Sequence, residues 1–313
     1  MADLPIVTER RPFGKTGLEV SPLGFGGAPI GFLETERERV AGVLNLLLDH
    51  GVNLIDTAAM YRGSEALIGE TIGARRNDFV LVSKCGHKIE GVDHEAWTPE
   101  LISASIDRSL KNLRTDAVDV MLLHSCDLDT LKKGEALGAL LEAKKAGKIR
   151  FAGYSGDNEA AVYAAGLEGV SVIQTSINIC DQRNIETLAP HAEDGGIGLM
   201  VKRPIANAAW KKLDDQPGMY KNYASEYTKR FAEMGMDPKK LGFDGPRDWP
   251  EIALRFTLST PGVHTAIIGT TNPDNALANI RAAIKGPLSV EAYAAIRGAF
   301  SKADPDGKWT GQT

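Results

Sequence analysis

Eight short apolar runs, each followed by a stretch with helical signals, occupy this chain between residues 22 and 285. A run of several apolar, β-branched residues without polar alternation reads as a strand buried on both faces, and parallel strands need a crossover between them. The runs are Pro22–Gly26, Asn53–Asp56, Phe79–Lys84, Ala117–His124, Lys148–Tyr154, Val170–Ile179, Gly198–Arg203 and Thr265–Gly269. Helix signals fall between them. One helix is predicted from about Thr35, a plausible N-cap, to His50, where Gly51 stops it. Others are predicted over Ser64–Ile72, from Thr98-Pro99-Glu100-Leu101 with Pro99 first, and up to Gly147. The rest are near Asn158–Gly166, Asn184–Glu193, Trp249–Ser259 and Pro273–Lys285. Eight strand-helix units are what a (β/α)8 barrel requires, so the expected fold class is α/β, a TIM barrel.

Three segments lie outside the count. Arg11–Val20 reads as an N-terminal β-hairpin with Gly14 and Gly17 bracketing its turn, placed to plug the barrel bottom. Residues 289–303 read as an extra C-terminal helix, and residues 205–248 as a long polar excursion. No internal repeat, low-complexity tract or Pro/Gly/Ser-rich linker divides the chain, so residues 1–313 are expected to form a single barrel domain.

Composition narrows the function classes. With 43% hydrophobic residues the chain can build a large core. A net charge of −5 gives no reason to expect nucleic acid or an anionic membrane surface as partner. Cys85, Cys126 and Cys180 share no metal-ligand spacing, and an odd count makes a poor disulfide framework. The first residues lack a signal-peptide core and no apolar stretch approaches membrane-spanning length. The expectation is a cytoplasmic protein in a reducing compartment, acting on a small molecule.

Chemistry enters where the runs end. Asp56, Lys84 and His124 each close one, and Tyr61 lies in the loop after the first of them. In a parallel barrel all C-terminal strand ends meet on one rim. Each residue alone has a plainer role: Asp56 and Lys84 as a structural ion pair, His124 as a core histidine, Tyr61 as a half-buried aromatic. Jointly they bring a phenol, an ammonium, a carboxylate and an imidazole together. A phenol with a reference pKa of about 10 becomes a better acid beside a cation.

The blocks Gly51-Val-Asn-Leu-Ile-Asp56-Thr-Ala-Ala-Met-Tyr61 and Gly63-Ser64-Glu65-Ala-Leu-Ile-Gly69 resemble the signature of the aldo-keto reductases. Val-Leu-Val-Ser-Lys84, Val-Asp-Val-Met-Leu-Leu-His124, the hairpin, Pro-Leu-Gly-Phe-Gly26-Gly27 and Gly-Lys-Ile-Arg-Phe-Ala-Gly-Tyr-Ser155 also match. The resemblance runs from about Arg11 to about Asn279. It implies reduction of aldehydes and ketones with NADPH, with Asp56, Tyr61, Lys84 and His124 as the catalytic set and Tyr61 as proton donor. One departure is Arg62, where glycine is usual after the tyrosine.

Cofactor contacts follow from the same resemblance. Gly26 and Gly27 close the first run. Ser155 and Gln174 stand where relatives hold the nicotinamide carboxamide, although Gly156 replaces a common asparagine. Lys202, Arg203, Pro204 and Ile205 occupy the place of an aromatic stacker and pyrophosphate contacts; otherwise the two cations are a solvated basic pair. The segment with Gly269, Thr270, Thr271, Asn275 and Asn279 aligns with the adenosine-phosphate site at a helix N-terminus. Relatives often carry Lys or Arg at positions 269 and 275, so NADH is a weaker alternative to NADPH.

Four readings are set aside or kept as rivals. Gly24-Phe-Gly26-Gly-Ala-Pro-Ile-Gly31 fails the dinucleotide fingerprint because Pro29 stands at its third glycine. His87 and His94 read as solvated loop residues. A Schiff-base enzyme using Lys84 is disfavoured by Asp56, which should keep the amine charged. The main rival is a non-catalytic, nucleotide-binding regulatory subunit of the same fold that senses redox state.

Overall fold

The structure is a computed structural model that describes residues 5–32, 36–215 and 221–312. Eight strands form a closed, all-parallel barrel: β1 Leu23–Gly26, β2 Leu54–Asp56, β3 Val80–Cys85, β4 Val118–His124, β5 Ile149–Ser155, β6 Val170–Ser176, β7 Gly198–Lys202 and β8 Thr265–Ile268. Their spatial order is their sequence order, and β8 pairs with both β7 and β1 to close the ring. Every crossover carries helix, as burial of both faces of a parallel sheet demands. The fold is thus the (β/α)8 barrel that the alternation predicts.

Differences between prediction and structure have local causes. Thr35 lies outside the described residues; the helix that follows begins at Arg37, with Glu36 at the cap making no side-chain cap bond. The fourth crossover is two helices, Leu128–Lys133 and Glu135–Lys145, broken where Gly134 takes φ 76°. The sixth is also two, Arg183–Thr187 and Ala189–Gly195, with a proline in the first turn of the second. Pro190 has no N–H to continue the ladder of the first helix. β6 stops at Ser176 because the next residues turn, with Asn178 bridging Asp181.

The hairpin strands Arg11–Pro12 and Glu19–Val20 seal the bottom. Phe13 is fully buried in a cluster with Leu54, Val82, Val120, Leu122 and Met200, which fill the barrel interior. The turn is tied to the segment just before β7 by the Lys15 amide donating to the Gly196 carbonyl at 2.7 Å. Gly14, at φ 57°, comes so close that a Cβ would lie 2.4 Å from the Gly198 nitrogen.

The excursion is more ordered than its polarity suggests. It contains the helix Lys221–Met234 and short 3-10 turns, and it packs with Trp249, Phe256, Ile296 and Phe300 into a second apolar cluster. The C-terminal helix Val290–Ala303 belongs to that cluster. Residues Trp309–Gln312 then run back to the rim. Among the described residues no helix is long and apolar enough to cross a membrane.

Candidate active site

The C-terminal rim holds the four residues singled out by the runs. Lys84 Nζ donates to both carboxylate oxygens of Asp56 at 2.7 Å and to the Thr57 carbonyl at 2.8 Å. An ammonium has three N–H donors, so all three are committed. The side chains are 0% and 3% exposed. Burial pushes the Lys84 amine below its ordinary range and the Asp56 carboxyl above its own, each against the pull of the opposite charge. Two bonds to a carboxylate and one to a carbonyl require the charged ammonium, so the geometry is that of an ion pair.

Tyr61 stands beside that pair. Lys84 Nζ lies 5.2 Å from the centre of its ring. The phenol is placed by a turn in which its amide donates to Ala58 and its carbonyl accepts from Ser64. The short helix Ala28–Phe32 presses on it through Gly31, where a Cβ would meet Tyr61 Cβ at 2.8 Å. His124 meets Tyr61 edge to face, ring centres 5.7 Å apart. Burial, then the charges of Lys84, His87, Lys202 and Arg203, hold His124 well below the usual histidine range. It is therefore a neutral imidazole near pH 7.

The β5–β7 sector adjoins this set. Ser155 Oγ donates to Gln174 Oε1 at 2.9 Å, and Gln174 Nε2 donates to Asp56 Oδ1 at 2.9 Å. Ser155, Gln174, Asp56 and Lys84 thus form one continuous polar chain across four strands. Register places it: His124 pairs with Ser155, and Ser155 with Gln174.

Lys202 and Arg203 are not a solvated pair. Lys202 Nζ is 3.0 Å from Asp157, and Arg203 lies 4.0 Å from the same carboxylate, with side chains 13% and 16% exposed. Asp157 also accepts from the Ser176 amide and Thr175. Burial works to raise it, but Lys202, Arg203 and these bonds hold it below the usual carboxylate range. Arg203 further donates to Ser176 Oγ at 3.0 Å and to the Gln312 carbonyl. Pro204 is buried and its carbonyl accepts from Thr257; Ile205 is partly buried against the core.

The sequence matches the Aldo/keto reductase family over residues 22–300. The chain belongs to that family. It is 26% identical to L-galactose dehydrogenase of Arabidopsis thaliana over 288 residues, 88% of each chain. It is also 26% identical to a probable voltage-gated potassium channel subunit beta of Arabidopsis thaliana, over 88% of this chain and 91% of that one. Among solved structures, the holo form of an aldo-keto reductase from Bacillus halodurans superposes with a TM-score of 0.79 at 28% identity, covering 93% of this chain and 96% of that chain. The protein is an NAD(P)H-dependent oxidoreductase of the aldo-keto reductase family.

The donor set of this aldo-keto reductase suits a dinucleotide. Beside the hydrogen-bonded pair Ser155 and Gln174, the ends of β1 and β8 approach closely. A Cβ on Gly27 would lie 2.8 Å from the Asp56 carbonyl, and one on Gly269 would lie 2.5 Å from the Gly26 carbonyl and Pro29. Gly269 therefore cannot carry the basic side chain common in relatives. Asn272 caps the helix Pro273–Ile284, its side chain accepting from the Asp274 amide at 2.9 Å, while Thr270 Oγ1 accepts from the Asn272 amide at 3.1 Å. Thr271 and Asn279 are half-buried, and Asn275 is exposed in the first turn. Exposed Arg39 bonds the Thr271 carbonyl at 2.6 Å.

Three residues of the rim escaped the sequence reading. His87, expected in a solvated loop, packs its ring against His124 and Trp97. Its position three residues beyond Lys84 was the available signal. Asp157 stands two residues beyond Ser155. Arg39 is 232 residues from the segment it touches, and no local pattern marks it.

Proposed function

We propose that the protein reduces aldehydes and ketones to alcohols with NADPH, with Tyr61 donating the proton. One observation carries this reading: a buried ammonium with all its N–H groups committed lies 5.2 Å from the Tyr61 ring, and a neutral imidazole faces the same ring. Lys84 therefore favours the phenolate through its charge, and Asp56 holds that charge in place. His124, neutral, can donate a hydrogen bond to the substrate carbonyl oxygen. Bound nicotinamide supplies the hydride. Ser155 and Gln174 would hold its carboxamide, with Gly26 and Gly27 leaving room at the end of β1. Lys202 would cover the ring, and Arg203, Pro204 and Ile205 would line the pyrophosphate.

The adenosine phosphate would meet Thr270, Thr271, Asn275 and Asn279, beginning at a helix N-terminus. Arg39 supplies a cation beside that segment, where Gly269 and Asn275 supply none. NADPH is accordingly preferred, with NADH a weaker alternative.

Committed Lys84 donors argue against a Schiff-base mechanism, which needs a free amine. The likeness to a potassium channel beta subunit keeps a nucleotide-binding regulatory role as the second reading. The deciding experiment is NADPH oxidation with a panel of aldehydes and ketones, on wild type and Tyr61→Phe. Turnover that Tyr61→Phe removes supports the reductase. Tight NADPH binding with no turnover on any member supports the regulatory subunit instead.

A further inference from the structure

Four rings stand edge to face in a row on the rim: Tyr61, His124, His87 and Trp97. Their centres are 5.7, 5.3 and 4.9 Å apart, at interplanar angles of 81°, 72° and 64°. Such edge-to-face contacts have defined geometry and couple the orientation of neighbouring rings. The outer end is locked. The Trp97 amide donates to the Gly86 carbonyl at 2.9 Å, and the indole lies against Gly86, where a Cβ would fall 2.0 Å from a ring atom. Gly86 takes φ 115°, which glycine alone adopts without strain. The His87 ring is thus gripped between Trp97 and His124, and His87 and His124 are both half-buried.

We propose that His87 is a positioning residue: it fixes the His124 imidazole edge-on to Tyr61 and shields it from water. The charged and titratable groups facing His124 are Lys84 from β3, His87 from the loop after it, Lys202 and Arg203 from β7 and its end, and Tyr61 from the loop after β2. Asp56 and Asp157 offset the charges of Lys84 and Lys202. Burial is the largest cause of His124 staying neutral, ahead of all these charges. His87 is itself held below the usual histidine range by burial. At neutral pH it therefore acts as a shield, not as a repelling charge. A second imidazole of fixed tilt also leaves His124 one orientation from which to meet a carbonyl oxygen, and misorientation of a catalytic group can cost on the order of 10²-fold.

This inference rests on the role given to His124 above, so its test has a readout that needs no turnover. The ring resonances of the full chain are titrated by histidine-selective NMR in wild type, His87→Phe and His87→Ala, with His124→Gln identifying the signal. The pH dependence of kcat/KM is measured beside it. His87→Ala opens His124 to water, so its titration moves to higher pH, and the acidic limb of kcat/KM moves with it. We expect kcat to fall about 10-fold or more while KM changes little. His87→Phe keeps a ring in the same slot, so the titration of His124 stays near that of wild type. An unchanged His124 titration in His87→Ala overturns the proposal. So does an equal upward shift in His87→Phe, because shielding by the ring would then not be the cause. If wild type reduces no carbonyl compound, the proposed function fails while the NMR comparison still decides the role of His87.

Discussion

Two buried ion pairs stand on one rim, and they differ in what they leave available. Asp56–Lys84 joins adjacent strands, is bidentate at 2.7 Å and uses every donor of its lysine. Asp157–Lys202 joins the loop after β5 to β7 at 3.0 Å, and its lysine keeps 13% exposure. Behind it the C-terminal segment packs in: Gly311 bonds Asn158 through both its amide and its carbonyl, and the Gln312 carbonyl meets Arg203. A closed pair can act on a neighbour only through its field. An open pair can still touch a ligand. The first suits pKa control and the second suits contact with a cofactor.

The largest effect expected from this division is at Tyr61. Tyr61→Phe should lower kcat on carbonyl substrates by about 10²–10⁴-fold, the usual worth of a general acid, while NADPH affinity persists. Retention of most turnover in the stopped assay would place the chemistry elsewhere on the rim.

Lysine substitutions test the division directly. Lys84→Met should also nearly abolish turnover, and it should destabilise the fold by roughly 3–5 kcal/mol because Asp56 is left buried without its partner. Lys202→Met should spare kcat at saturating cofactor and weaken NADPH binding, on the order of 10-fold. Chemical denaturation, kcat and fluorescence-detected Kd, compared for the two variants, would erase the distinction if both lost kcat equally.

A pH test sharpens the open side. Asp157 is held low, so its contribution is fully present above the unfolded value near about 4 and is lost as pH falls through its lower folded value. Its neighbour Asp181, which accepts from Tyr227 and the Gln312 amide, is pushed by burial up to about 7. The folded state then holds a proton that the unfolded chain releases, so stability falls as pH rises from about 4 to about 7, by up to about 4 kcal/mol. Asp181→Asn should flatten that slope and raise Tm relative to wild type at pH 8, with the gap narrowing toward pH 4. Parallel Tm–pH curves for the two proteins would contradict this.

Smallest are the effects at the adenosine end. Arg39→Ala should weaken NADPH by a few-fold and leave NADH nearly unchanged, since a charged hydrogen bond to phosphate is worth roughly 1.5–3 kcal/mol at best and less when exposed. Asn275→Arg should tighten NADPH more than NADH. Dissociation constants for both cofactors check each variant; tighter NADH than NADPH binding in wild type would reverse the cofactor assignment.

Much of the site was legible because the signals are local. Asp56, Lys84 and His124 each close an apolar run, and the rule that parallel strand ends share a rim does the rest. Ser155, at the end of its strand, and Gln174, within the next, were found by resemblance, but the bond between them and the bond from Gln174 to Asp56 were not foreseen. Lys202 and Arg203 read as cofactor contacts in preference to solvated cations because they end the seventh run, but their shared partner Asp157 was not foreseen. The excursion read as polar, yet its Tyr227, Met234 and Leu241 join Trp249, Ile296 and Phe300 in one apolar cluster.

What the sequence determined by itself is therefore the barrel, its plug and the residues at its strand ends. Hydrophobic periodicity, glycine stops and N-caps act within a few residues, and a closed parallel barrel admits one order of strands once eight units alternate. Only the tertiary structure decided which charges are paired, which imidazole shields which, and why position 269 is glycine. Those outcomes depend on backbones brought together from distant segments: Gly269 against Pro29, Arg39 against Thr271 across 232 residues, Gly311 against Asp157. Burial and ion pairing are properties of that packed surface, and no short window of residues encodes them.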